Sequence, residues 1–541
     1  MNKNNKIIFW MEIAASTALL LGLIVLHCIF LVKAGPLWRD EVCAVNLSNL
    51  PTLSQIWQNL QYDSFPLLWF FILKVWTSIG LGGTDFSLRI LGFIVGLGVL
   101  GSLWFAIRSL GIRLPLISLA LFALCPAIYF GDTMRAYGTG TLLILLSLAT
   151  MWRFFLNPAP GQMIVAIICV LLSVQCLYHN SFLILAICTG AVAAGIYRRE
   201  WKLIVFPLGA GLLASISVCP YFEVVSQRNA WGMIMNAPVD LVWIINKFQS
   251  ATDVSGIPFS WMWALLALLS FISFLIVLLK STSPSDTFLH RRELSLFLLI
   301  TMLLSIFAYT SFLIILSRSM QNWYFLPLMA VTIVIIEKGI DRICQRRSAV
   351  RIMRLVFVIG VSLFIFTDSW TAAHTRRTNV DLLAAKIQAA SDQNDLIVIR
   401  PFYYGITFNR YYRGNTPWIT IPEVYDLRAT RQDIIKSIMM DNDPLEPSMQ
   451  KIIRTLQNGH RIWFIGSLKL PEPGKIPLRL PPAPYSPYGW NEVAYQIAWS
   501  QEVNYIIQKY GGKIEKVEVP AHYPVNPLED PPLFIVNAKG F

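Results

Sequence analysis

From Ile7 to Val32 the chain is an almost unbroken run of apolar side chains. That is longer than the roughly 20 residues a helix needs to cross about 30 Å of hydrocarbon. Similar runs recur at about 86–107, 114–130, 136–156, 162–178, 181–197, 203–222, 259–280, 294–316, 323–337 and 355–370. Inside a bilayer a helix satisfies its own backbone hydrogen bonds, so these runs predict about 11 transmembrane helices. With 55% hydrophobic and 14% charged residues, the composition excludes an ordinary soluble protein and indicates a polytopic α-helical membrane protein. The net charge of +13 follows from the same reading and does not imply nucleic acid. Basic residues of membrane proteins gather in cytoplasmic loops and near anionic headgroups.

Orientation turns on one stretch, Phe65 to Ile79, which is short for a span and carries Lys74. If it lies on the membrane surface, the later basic clusters fall on the N-terminal side: Arg108 and Arg113; Arg198, Arg199 and Lys202; Arg291 and Arg292; and Arg342, Arg346, Arg347, Arg351 and Arg354. If it spans, all of them flip outward. The positive-inside rule therefore selects the surface placement, with the N-terminus inside and the C-terminal tail outside. Lys3 and Lys6 before the first run resemble a signal peptide. The run is too long for one and has no convincing cleavage site, so it reads as a retained anchor. The 8 cysteines all lie at or before Cys344 and show neither a disulfide framework nor CxxC metal spacing.

The first outer loop runs from about 33 to 85. Thr52 with Gln55 has capping-box spacing, and Leu53, Ile56, Trp57 and Leu60 form one stripe, which predicts an amphipathic helix lying on the bilayer. Pro66 opens a second such helix. After residue 370 the chain turns polar. Short strands are expected at 396–400, 418–421, 461–465, 513–519 and 533–538, with helices at 427–440 and 490–510, the latter stopped by Gly511-Gly512. The expected division is a transmembrane catalytic domain at 1–370 and a soluble α/β domain at 371–541. Between Pro471 and Pro487 lie 7 prolines, a lid or a rigid spacer. There is no GxGxxG, P-loop or HExxH pattern and no internal repeat.

Chemistry concentrates in the outer loops. Trp38-Arg39-Asp40-Glu41 places two adjacent carboxylates just past the first span, where charge is costly and seldom idle. An inverting sugar transfer needs a carboxylate to take the acceptor's proton, and Asp40 suits that role, with Glu41 beside it. The bland alternative is a solvated loop pair that caps a helix. Arg135, with Asp132 and Tyr137, suits a phosphate contact through its planar fork, or else an interfacial anchor. Asp63, before Phe65-Pro66-Leu67, reads as a metal or substrate ligand or as a turn residue. His179-Asn180 sits where two spans meet, and Arg318 with Tyr324 offers a second phosphate contact or a snorkelling anchor.

Taken together these motifs resemble the lipid-phosphosugar-dependent membrane glycosyltransferases, in particular the family 39 protein O-mannosyltransferases and the lipid A aminoarabinose and galacturonic acid transferases. The acidic pair resembles their first-loop motif, and Asp63-Ser64-Phe65-Pro66-Leu67-Leu68-Trp69 resembles D-x-H-P-P-L-Y-Y. Phe86 to Arg89 resembles F-x-x-R, Gly131 to Tyr137 the R-x-Y loop, Tyr178-His179-Asn180 T-H-Y, and Arg318 to Pro327 R-Y-x-L-P-L-x-P. The resemblance covers about residues 1–340. It implies a GT-C fold in a bacterial inner membrane and a polyprenyl-phosphate-sugar donor, undecaprenyl phosphate in bacteria. It also implies transfer on the periplasmic face to an envelope lipid, glycan or protein, such as lipopolysaccharide. It assigns Asp40 as base and Arg135 to the donor phosphate, and leaves room for a divalent cation, Mg or Mn. Two departures stand out: Ser64 and Phe65 replace the His and first Pro of H-P-P, and Asp132 lies three residues before Arg135 where the family's acid often lies two before. A polytopic lipid or glycan transporter or flippase is the alternative from another class, though charge gathers at the outer ends rather than at the midplane.

Overall fold

The structure, a computed structural model, describes residues 3–257, 259–280, 286–318, 320–344, 347–472 and 475–539, with backbone alone at 3–4 and 286–289. Arg346 of the last basic cluster and Pro473 of the proline-rich stretch lie outside these. Among the described residues 8 helices are long and apolar enough to cross a membrane: Asn5–Lys33, Asp85–Ser109, Tyr137–Leu156, Asn180–Arg198, Ser260–Leu279, His290–Leu316, Asn322–Cys344 and Ser348–His374. A ninth arises if the bent pair Lys202–Val218 and Tyr221–Met235 is one span. The chain is a multi-pass membrane protein.

The expected 11 spans are thus not all present as long helices. The stretch 114–130 is broken into Leu116–Ser118, the π turn Leu119–Ala123 and the 3-10 turn Pro126–Phe130. Pro126 explains the break before the 3-10 turn, since proline lacks the N–H that a continuing helix needs and crowds the preceding turn, while Pro115 stands at the N-cap before Leu116. The run at 162–178 forms the Pro160–Cys176 helix, only 17 residues long. Phe65 to Ile79 becomes the short helix Leu67–Trp76 followed by the π turn Thr77–Leu81.

The described helices differ in how much protein surrounds them. In the Asn322–Cys344 helix 89% of the apolar window is buried by neighbouring protein, against 28% in Asn5–Lys33 and Ser348–His374. The first is a central element. The other two keep apolar side chains such as Leu21, Val25, Val356 and Leu363 for lipid.

The chain forms two compact units. One comprises Met1–Val32, Phe65–Phe222 and Ala237–His374; the other comprises Lys33–Ser64, Glu223–Asn236 and Thr375–Phe541. The first half of the expected outer loop, with Asp40, therefore belongs to the unit built by the C-terminal residues. Within it Thr52 caps the Leu53–Asn59 helix through Gln55, and Ile56 and Leu60 are buried.

The second unit carries a mixed five-stranded sheet in the order β2-β1-β3-β5-β4, with β1 Leu396–Ile399, β2 Trp418–Thr420, β3 Ile462–Ile465, β4 Gly511–Val517 and β5 Leu533–Ala538. These are the five segments expected from sequence, shifted by one or two residues. Strand β1 pairs in parallel with β2 and β3, whereas β5 runs antiparallel to β3 and β4. All four residues of β1 and of β3 are buried, as parallel strands covered on both faces require. Val380, Leu383 and Ile387 from one helix and Phe408 from another pack with Ile397 and Trp463 in one core. Ile397→Ala removes a fully buried side chain from the middle of this sheet. It is expected to cost about 2–5 kcal/mol, read as a lowered unfolding midpoint of the detergent-purified chain.

Candidate active site

In the second unit the backbone enters the Arg39–Ser48 helix through Trp38, and both carboxylates fall in its first turn, where they complement the partial positive charge of the free N–H groups. Their surroundings differ. Glu41 is fully buried, and its Oε2 accepts the Trp38 N–H at 3.2 Å, closing a capping box. Its carboxylate is used in building the helix. The Asp40 side chain keeps 31% of its surface exposed, with Oδ1 3.6 Å from Arg39 Nε.

Arg39 is the anchor. Its N–H donates to Glu529 Oε2 at 2.9 Å, its Nη1 donates to the Leu528 carbonyl at 3.1 Å, and its guanidinium stacks 4.3 Å from the Tyr403 ring. One residue pair earlier, the Leu37 N–H donates to the Tyr411 hydroxyl at 2.7 Å. Tyr403 follows β1 by four residues, and Leu528 and Glu529 lie just before β5. The ends of the sheet thus hold the backbone just before Asp40. Glu529 has no exposed surface and also accepts from the Thr378 and Thr407 hydroxyls. Burial pushes its carboxyl up to about 7, against the pull of Arg39 and of the Thr407 hydrogen bond.

Asp63 is 5% exposed and turned to its own backbone: Oδ1 accepts the Ser64 N–H at 2.5 Å. Arg228 clamps this turn, donating to the Asp63 carbonyl at 2.6 Å and to Ser64 Oγ at 3.0 Å. That is the turn role weighed for Asp63 from sequence.

In the first unit Asp132 is 1% exposed, and its Oδ2 lies 2.6 Å from Nδ1 of His27, which is fully buried in the first span. Arg89, itself buried, adds positive charge nearby. Space for Asp132 comes from Gly92 and Gly96, four residues apart on one helix face. A Cβ on Gly92 would stand 1.9 Å from the Asp132 carbonyl oxygen, and one on Gly96 2.2 Å from its Oδ1. Asp132 is a buried pin between helices.

Three residues on, Arg135 is 8% exposed, with its guanidinium 4.3 Å from the Phe65 ring. Phe65 meets Tyr137 edge-on at 5.1 Å, and Tyr137 meets Tyr324 at 5.4 Å. His179 lies 5.6 Å from the Tyr309 ring and 6.1 Å from that of Tyr324. Asn180 positions it by donating to the Gly140 carbonyl at 3.0 Å. Arg135, Tyr137 and His179 therefore join in one aromatic-lined cluster. Arg318 stands half-buried in the turn after the Asp286–Leu316 helix, four residues before Asn322–Phe325. Among the described residues no three His, Cys, Asp or Glu side chains group to hold a metal ion, and all 8 cysteines are free thiols.

Sequence reasoning missed His27 and Glu529, and it read Arg228 only as one charge of the outer loop at about 223–258. An ionisable residue inside the first apolar run was a signal for His27. Nothing local marked the partners of Glu529 or Arg228, which lie more than 100 residues away in sequence.

Two predictions follow from this packing. Gly92→Ala or Gly96→Ala drives a methyl into Asp132 and is expected to destabilise by about 1–3 kcal/mol or more, seen as a lower thermal midpoint. Glu529, with a folded pKa of about 7 above the ordinary value of 4.5, favours folding while protonated. Its contribution is full below pH 4.5 and declines as pH rises toward 7, by on the order of 3 kcal/mol. Glu529→Gln is expected to flatten that part of the stability–pH curve relative to wild type.

No protein-family model matches the sequence, and no curated protein sequence does either. Among solved structures the chain is similar to ArnT from Cupriavidus metallidurans bound to undecaprenyl phosphate, at 12% identity and a TM-score of 0.49, over 96% of this chain and 98% of that one. It is similar to the oligosaccharyltransferase of Archaeoglobus fulgidus in complex with Zn and sulfate, at 12% identity and a TM-score of 0.48, over 93% of this chain and 73% of that one. It is also similar to the oligosaccharyltransferase AglB of Archaeoglobus fulgidus in complex with an inhibitory peptide and a dolichol-phosphate, at 11% identity and a TM-score of 0.45, over 92% and 72%.

Proposed function

We propose that this chain is a membrane glycosyltransferase. It moves a sugar from a polyprenyl-phosphate donor to a cell-envelope acceptor on the outer face of a bacterial inner membrane, with inversion at the anomeric carbon. The observation that carries the reading is the contrast among carboxylates. Glu41, Asp63 and Asp132 are all 5% exposed or less and engaged in capping, turning or pinning, whereas the Asp40 side chain is 31% exposed on a rigidly anchored helix start. A general base needs both reach and fixed position, and Asp40 has both.

In the proposed step the acceptor hydroxyl attacks C1 of the donor sugar as the bond from C1 to the phosphate oxygen breaks. Asp40 takes the hydroxyl proton, and polyprenyl phosphate leaves with the electron pair. Arg135 meets the charge that develops on the phosphate, its guanidinium oriented by Phe65. Tyr137 and His179 line the same cluster in contact or proximity to Tyr324. Glu41 and Glu529 act as positioning residues for Asp40.

The test is transfer of radiolabel from a panel of undecaprenyl-phosphate sugars to a crude envelope acceptor, in nanodiscs. Asp40→Asn is expected to lower turnover by about 10²–10⁴ with thermal stability unchanged. Arg135→Gln is expected to lower turnover as well, and Arg135→Lys to restore part of it. Wild-type turnover by Asp40→Asn would remove Asp40 as base. Failure of every donor with well-folded wild type, together with lipid or glycan flux in sealed vesicles, would replace the reading with a transporter.

A further inference from the structure

The Tyr137–Leu156 helix starts beside Arg135 and ends, in its last turn, at a cavity of about 500 Å³. The C-terminal turns of Asp85–Ser109, Ser260–Leu279 and Leu326–Cys344 reach the same place, as does the region of Arg291 and Leu294. We propose that this cavity binds the phosphate headgroup of an anionic membrane lipid. The proposal does not depend on the transferase reading, because it concerns the end of these helices away from Arg135.

Charge is the first argument. Arg108, Lys280, Arg291, Lys338 and Arg342 line the cavity, and among the described residues no Asp or Glu lines it. Two acidic residues beside lining positions have partners of their own: Asp341 lies 3.4 Å from Arg354, and Glu293 is 2.9 Å from His290 and 3.9 Å from Arg198. Lys338 is half-buried and has no hydrogen-bond or ion-pair partner among the described residues. An ammonium so placed has lost part of its hydration; Asp341 attracts it but Arg342 and Arg291 repel it, and an anion in the cavity would offset that crowding of positive charge. Arg342 is already oriented, donating to Ser295 Oγ at 2.7 Å with its guanidinium 5.4 Å from the Phe274 ring.

The remaining wall is the second argument. Trp152, Val277 and Leu294 are buried apolar side chains there, and Leu156 continues the wall with 44% of its surface exposed. Inorganic phosphate shares the anionic chemistry but has nothing to set against this apolar side. A phospholipid does, since its glycerol and acyl segments follow its phosphate. Basic pockets between membrane helices take anionic headgroups in this way, Arg by its fork and Lys as a point charge.

The experiment is native mass spectrometry of the full-length protein in detergent, titrated with phosphatidylglycerol or phosphatidylcholine. Wild type is expected to retain phosphatidylglycerol preferentially. Arg291→Gln with Lys338→Gln is expected to weaken that retention by roughly 30-fold, about 5-fold for each charge removed. Lys338→Arg is expected to keep it. Arg291 is exposed, so the single Arg291→Gln variant provides a reading even if the double variant does not fold. Equal retention by wild type and variants, or no preference over phosphatidylcholine, overturns the proposal. Displacement of the bound species by millimolar inorganic phosphate overturns the lipid assignment and gives the cavity to a soluble anion.

Discussion

A carboxylate without exposed surface holds the segment that carries Asp40. Glu529 accepts from the Arg39 N–H and from the hydroxyls of Thr378 and Thr407, tying together three parts of the second unit that are far apart in sequence. Removing one partner of such a group leaves buried polar atoms unsatisfied, so its bonds are made together or lost together. Arg39 is fixed by this carboxylate from one side and by the Tyr403 ring from another. Asp40, the next residue, inherits a defined backbone position from this anchor, and its side chain lies 3.6 Å from Arg39 Nε.

The sheet explains why that anchor lies where it does. Strands β2, β1 and β3 are parallel, and the chain leaves β1 toward β2 on one side while β3 lies on the other. At such a switch, beyond the carboxyl ends of the strands, α/β units commonly bind ligands. Here the residues after β1 meet a segment of the same chain: Tyr403 stacks on Arg39, and Tyr411 accepts from the Leu37 N–H. The α/β unit uses its natural recognition edge to hold the loop of residues 33–64.

How much of this was legible in the sequence follows from the range of each interaction. Helical runs and strands announce themselves through local pattern, and the five strands lie within two residues of their expected places. The capping pair Thr52 and Gln55 is local too, and it is present. The stretch 114–130 misled because hydropathy does not count backbone donors, and Pro126 removes one in its middle. The roles of Glu41 and Asp63 were visible only as alternatives, since capping and catalysis use the same side chains. His27 with Asp132, and Arg39 with Glu529, are pairs 105 and 490 residues apart, which no periodicity reveals. Gly92 and Gly96 read as ordinary helix residues until the carbonyl and carboxylate of Asp132 are seen against them.

The two acidic groups nearest the candidate chemistry divide along physical lines that a sequence motif conceals. Asp132 sits in a motif with Arg135, yet its carboxylate faces His27 across a glycine notch while Arg135 faces the Phe65 ring. A neutralising pair between Asp132 and Arg135 would have lessened the charge available for a phosphate. With Asp132 turned to His27, the guanidinium lies beside an aromatic face, which attracts a cation. The same logic holds in the second unit. Glu41 spends its charge on a helix start, and Asp40, beside it in sequence, keeps a third of its side chain open to solvent. In both places the buried acid serves the packing of its own unit, and its neighbour in the motif stands in different surroundings.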